Sequence, residues 1–227
     1  MKRFTVAALV LSAALAGASA TAAVSYTNPP PGKVVQDVVA YLSGEAMNSK
    51  WHVVASKVQV GKQYGKDNAY QWYLSIYRQL GDGWQLAFRS PGAGNTLITK
   101  VTKAHGAQLY FPIQDLKIVG VGELERPAIQ DVVFWLHETG ADCGSATIGV
   151  LGTNKSEQVT TKVKVVNGCE LQAAIVKNGS LQAVALSGPY YGPNAPMCCP
   201  TKPKAKAILS GVNGVWKVTP KYFTISR

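Results

Sequence analysis

The sequence predicts a mainly β protein of the α+β kind: antiparallel sheets in two packed lobes, with one N-terminal helix packed on the first lobe. Three observations carry that prediction. Apolar and polar residues alternate with period two along most of the chain, as in Tyr70, Trp72, Leu74 and Ile76 against Gln71, Tyr73, Ser75 and Tyr77. Turn formers punctuate the runs, among them Gly81-Asp82-Gly83, Asn167-Gly168, Asn178-Gly179 and Asn213-Gly214. Asn-Gly between alternating runs signals a hairpin, because both residues tolerate positive φ. A single segment, Val34, Val35, Val38, Val39 and Leu42, carries a stripe at helical spacing, with Gln36 and Asp37 opposite.

The chain opens on a leader. Lys2 and Arg3 form a positive start, Phe4 to Ala16 is almost wholly small and apolar, and Ala18-Ser19-Ala20 and Ala20-Thr21-Ala22 offer small-x-small cleavage sites. The apolar run is too short for a membrane anchor and has the layout of a signal peptide, assigned to residues 1–22. Leu15-Ala16-Gly17 would begin a lipobox, but Ala18 stands where the acylated cysteine would be. The expected product is therefore free and secreted or periplasmic, with no transmembrane segment.

A proline-rich lead-in follows over residues 23–32, where Pro29, Pro30 and Pro31 favour an extended chain. The first lobe is placed at 33–122: the helix, a strand from Trp51 to Val60, and the hairpin around Gly81-Asp82-Gly83. Further strands are placed at Thr96 to Thr102, Gln108 to Ile113 and Leu116 to Val121. A turn at Gly122 to Pro127 marks the division. The second lobe, 123–227, carries seven strands: Ile129 to Leu136, Ala146 to Leu151, Gln158 to Val166, Leu171 to Val176, Leu181 to Leu186, Lys204 to Leu209 and Val215 to Val218.

Apolar residues make up 47% of the chain, enough for a core and against bulk disorder. The formal charge is +11; Lys2 and Arg3 leave with the leader, so +11 becomes +9. From Leu171 to Arg227 there is no Asp or Glu, whereas Lys177, Lys202, Lys204, Lys206, Lys217, Lys221 and Arg227 remain. Such a field favours an anionic cell-wall or lipopolysaccharide polymer. Nucleic acid is disfavoured, because the cations are mostly lysine rather than the arginine that reads base edges.

Two features are candidate binding elements. Tyr190 and Tyr191, in a Pro- and Gly-rich stretch, either form a stacking platform or cap the core. Lys202, Lys204 and Lys206 alternate with Pro203, Ala205 and Ala207, so their ammoniums share one face, as do those of Lys162 and Lys164. Lysine and proline also protect exposed sheet edges.

All four cysteines, Cys143, Cys169, Cys198 and Cys199, lie in the second half, and after an export signal an even number reads as disulfides. Cys143–Cys169 would join two strand-end turns and leave Cys198–Cys199 as a vicinal pair. Alternatively, Cys198 and Cys199 pair separately with the other two. No zinc spacing is present, and no cofactor or metal is expected. No catalytic residue is assigned, for the chain lacks a Gly-x-Ser-x-Gly elbow, a His-Glu-x-x-His pair and a P-loop. An enzymatic alternative, a hydrolase or thiol-redox protein, would use Asp131, His137, Glu138, Asp142 and Cys143 around one turn, or the Cys198–Cys199 pair.

The segment from Asp131 to Arg227 contains Ala141-Asp142-Cys143-Gly144, Tyr190-Tyr191-Gly192-Pro193-Asn194, Met197-Cys198-Cys199-Pro200-Thr201 and Asn213-Gly214-Val215-Trp216. It resembles exported bacterial proteins with a Cys-Cys-Pro-Ser/Thr signature, similar to LppP/LprE-type envelope lipoproteins. The resemblance covers about the last hundred residues and implies an envelope role without a reaction. Those proteins carry an anchoring cysteine that this chain lacks. Some look-alikes also have a calcium-type loop, where this chain has Glu123-Leu124-Glu125-Arg126-Pro127.

Overall fold

The computed structural model describes residues 25–42, 50–63, 67–90, 102–104, 108–110, 113–138, 145–167, 170–192 and 200–226. The leader at 1–22, all four cysteines and Asp142 fall outside the described residues. The fold is mainly β and largely antiparallel, and no helix occurs among the described residues.

Among the described residues, sixteen strands form three sheets. The first is seven-stranded, ordered β1 (Ser25–Tyr26), β5 (Gly83–Arg89), β4 (Asp67–Leu80), β3 (Trp51–Gln63), β7 (Gln108–Tyr110) and β6 (Thr102–Ala104), with β2 (Lys33–Ala40) also paired to β3. The second is ordered β16 (Thr224–Ser226), β11 (Val159–Asn167), β10 (Ser145–Thr153), β9 (Ile129–Glu138) and β8 (Ile113–Arg126). The third is ordered β12 (Gln172–Asn178), β13 (Leu181–Tyr190), β14 (Lys202–Val212) and β15 (Val215–Thr219).

The expected N-terminal helix is corrected: Lys33–Ala40 is a strand antiparallel to β3. Val34, Val35, Val38 and Val39 are β-branched and lose rotamer freedom in a helix, whereas β3 offers them a paired ladder. A bulge between Val34 and Gln36 adds one residue to β2 and resets its alternation. The resulting spacing imitates a helical stripe. Beyond the bulge Val38 and Ala40 pack inward, while Asp37 and Val39 face out.

The five-stranded sheet lies between the other two. One core packs Trp51, Val53, Leu74 and Ile76 of the first sheet against Ile118, Val132, Phe134 and Leu151 of the second. The other packs Val133, Ile148, Val150 and Val163 of the second against Val184, Leu186, Ala207 and Leu209 of the third. A strand covered on both faces needs apolar residues at successive positions rather than at alternate ones. Accordingly Ala146 to Thr153 is buried without a break. Gly149 is fixed by close approach, since a Cβ there would sit 1.9 Å from the Phe134 ring.

Side-chain amides tie the first sheet to the second. Gln36 donates to the Ile118 carbonyl (2.6 Å) and accepts from the Ile118 N–H (2.8 Å), imitating one rung of a ladder where β8 is bulged. The Gln130 side-chain carbonyl accepts from the Tyr41 N–H (3.0 Å), while the Gln130 backbone N–H donates to the Tyr41 carbonyl (2.8 Å). Thr153 Oγ1 donates to the Leu42 carbonyl. Strand β8 runs unbroken through Gly122, and the reversal into β9 falls at Pro127-Ala128. The Gly81-Asp82 and Asn213-Gly214 hairpins form as expected, with positive φ at Asn213 (49°) and Gly214 (81°).

Candidate binding face

Alternation along β14 decides which side chains reach solvent. Ala205, Ala207 and Leu209 point into the core, so Lys202, Lys204, Lys206 and Ile208 point out. Neighbouring strands extend this outer face with Ala185 and Ser187, opposite Ile208 and Lys206 on β13, and with Thr219 and Lys217 on β15. Small side chains at Ala174, Ala185 and Ser187 leave a shallow trough of about 430 Å3, with Lys206, Ile208 and Pro220 along it. No Asp or Glu occurs in any strand of this sheet, so nothing within it neutralises the lysines.

The three lysines are not equivalent. Lys204 and Lys206 are exposed and line a second groove with Glu170, Gln172 and Pro189. The Lys202 ammonium donates to the Tyr222 hydroxyl (2.5 Å) and lies 4.4 Å from that ring's centroid, a cation–π contact. Tyr190 ends β13 and rests against the core, its ring 5.0 Å from that of Tyr222. It therefore caps the sheet, and Tyr191 lies half-buried beside it. Lys162 turns inward instead, where it is 17% exposed, lies 3.6 Å from Glu125 and donates to the Thr153 carbonyl.

Of the residues of the enzymatic alternative, the side chains of Asp131 and His137 are described, and they are well separated. Asp131 and His137 lie on one strand, six residues and so about 20 Å apart. Asp131 is 3% exposed beside Glu125, Lys162 and Arg126. Burial, reinforced by the Glu125 charge, raises its carboxyl from 3.8 to about 7 against the opposing pull of Lys162, Arg126 and the Leu124 backbone hydrogen bond. Asp131 Oδ2 and Glu125 Oε2 have no hydrogen-bond partner among the described residues. At the other end of β9, His137 stacks on Trp135, with ring centroids 5.6 Å apart and planes 3° apart.

Lys117 lies 4.8 Å from the Trp135 centroid, and Trp135 Nε1 donates to the Leu171 carbonyl (2.6 Å). Together these side chains line a groove of about 630 Å3 that also reaches Glu170 and Gln172. Reading motifs along the sequence groups His137 with the acidic turn residues and passes over Trp135. The signal that finds the pair is the Trp-x-His spacing on a strand, which puts both rings on one face.

A hydrogen-bonded chain also lies on the outside of the seven-stranded sheet. The Tyr26 hydroxyl meets His52 Nδ1 (2.6 Å), and His52 Nε2 meets Asp37 Oδ2 (2.8 Å). Burial, together with the charges of Tyr77 and Asp37, raises the Tyr26 phenol, so it is not primed as a nucleophile. Arg89 donates to the carbonyls of Asn28 (2.9 Å) and Pro29 (2.8 Å), completing a strap that holds the lead-in against the sheet.

Among the described residues no three His, Cys, Asp or Glu side chains are grouped to hold a metal, and no helix could cross a membrane. No family model, curated protein or solved structure matches the chain.

Proposed function

We propose that this chain is an exported, non-catalytic envelope binding or structural protein whose four-stranded sheet meets an anionic cell-wall or lipopolysaccharide polymer. The observation that carries the reading is the outward row of Lys202, Lys204 and Lys206, continued by Lys217, on a sheet with no acidic residue. Ammoniums two residues apart on a strand recur about every 7 Å, a spacing that suits repeated anions better than one small ligand. The leader pattern, the Ala18 that replaces a lipobox cysteine and the resemblance to envelope lipoproteins support the location.

The test is co-sedimentation with purified cell wall and with lipopolysaccharide, at low and high salt. Binding should fall with salt, as screening weakens exposed charges. Lys202→Glu, Lys204→Glu and Lys206→Glu combined should lower it by about an order of magnitude, because attraction becomes repulsion at three positions. Wild-type protein that ignores both polymers, or binds them equally at all salt concentrations, refutes the reading.

A further inference from the structure

The grooves beside the lysine row adjoin, each sharing lining residues with the next. The Trp135–His137 groove shares Glu170 and Gln172 with the groove past Lys204 and Lys206. That groove shares Gln172, Ser187 and Lys206 with the trough floored by alanines. At its far side the trough shares Thr219 and Pro220 with a groove of about 490 Å3 bearing Lys217 and Lys221. The adjoining grooves thus form a track from an aromatic end at Trp135 and His137, past Lys204 and Lys206, to Lys217 and Lys221.

We infer that this track binds an acidic glycan, a chain of pyranose rings bearing carboxylates. One ring would lie on the aromatic pair at Trp135 and His137, with the carboxylates of following rings over Lys204 and Lys206. The inference rests on the proposed polymer-binding role of the basic face and names its ligand class.

Three features select a sugar acid. The parallel Trp135 and His137 rings both line the groove, and a flat ring meets the C–H side of a pyranose in a contact for which a simple polyanion has no use. Gln172 and Glu170, at the junction between the aromatic and lysine segments, offer donor and acceptor groups for sugar hydroxyls. The Glu170 carboxylate repels any anion, but a polyphosphate, whose charges follow one another without a break, more than a uronate chain, whose carboxylates are set apart by pyranose rings.

The experiment is calorimetric titration of the full chain with an oligouronate, with polyphosphate of matched charge and with oligothymidylate. The oligouronate should bind most tightly. His137→Ala should weaken it about fivefold, the loss of one ring contact, and leave polyphosphate unchanged. Lys204→Glu with Lys206→Glu should weaken all three ligands. As a second variant, Glu170→Gln should narrow the gap between polyphosphate and oligouronate. If polyphosphate or oligothymidylate binds as tightly as the oligouronate, or His137→Ala affects all ligands alike, the glycan assignment is overturned while the basic face stands. If no polyanion binds at low salt, both fall.

Discussion

Replacing Asp131 with asparagine removes one member of the buried Asp131–Glu125 pair while preserving its shape. The wild-type carboxyl is lifted from 3.8 to about 7, chiefly by burial and then by Glu125, so the folded state keeps this proton where the unfolded chain has released it. The stability this confers is full below 3.8 and is lost as pH rises through about 7; above that the contribution is constant. A shift of about three pK units at about 1.4 kcal/mol each makes the loss about 4 kcal/mol. Asparagine does not titrate, so the variant should escape it.

Urea unfolding of both proteins at a series of pH values measures the difference directly. Near pH 4 the two should be about equally stable, and near pH 8 Asp131→Asn should be the more stable by about 4 kcal/mol. Taking the difference between the two removes the other carboxylates, which titrate in both. Parallel stability curves across this range would refute the reasoning, since they would mean that Asp131 ionises in the folded state as it does in water.

Two further substitutions test the packing. Gly149→Ala places a Cβ 1.9 Å from the Phe134 ring and should cost about 2–3 kcal/mol in thermal or urea unfolding. Phe134→Leu in the same chain should recover part of that loss, because the two sites are in contact. Gln36→Ala deprives the Ile118 N–H and carbonyl of their partner, so stability should fall by about 2 kcal/mol. Hydrogen exchange at the Ile118 amide should quicken more than at Leu74, which lies in the middle of the first sheet.

Strands with a plain alternation were legible, and the seven expected in the second half are all present. The Asn213-Gly214 reversal was also legible, because turn chemistry is local. Residues 33–40 misled for a physical reason. A bulged strand of paired valines and a helical stripe share one spacing, and only the β3 partner distinguishes them. The outward lysine row followed from alternation alone, but the fate of each lysine did not. Lys162 occupies the same pattern as Lys204 yet turns toward a buried glutamate, because β11 belongs to the sheet enclosed on both sides.

Local chemistry in the sequence thus determined the mainly antiparallel β class, most strand positions and the concentration of cations in the last quarter of the chain. These depend on residues near one another along the chain, where period and turn preference act directly. Tertiary structure alone decided that three sheets share a middle layer, that Asp131 sits beside Glu125, and that the groove at Trp135 and His137 adjoins the one past Lys204 and Lys206. Each of those facts requires the pairing or stacking of segments far apart in sequence. No spacing rule encodes such contacts; they are fixed when both faces of the middle sheet are buried together.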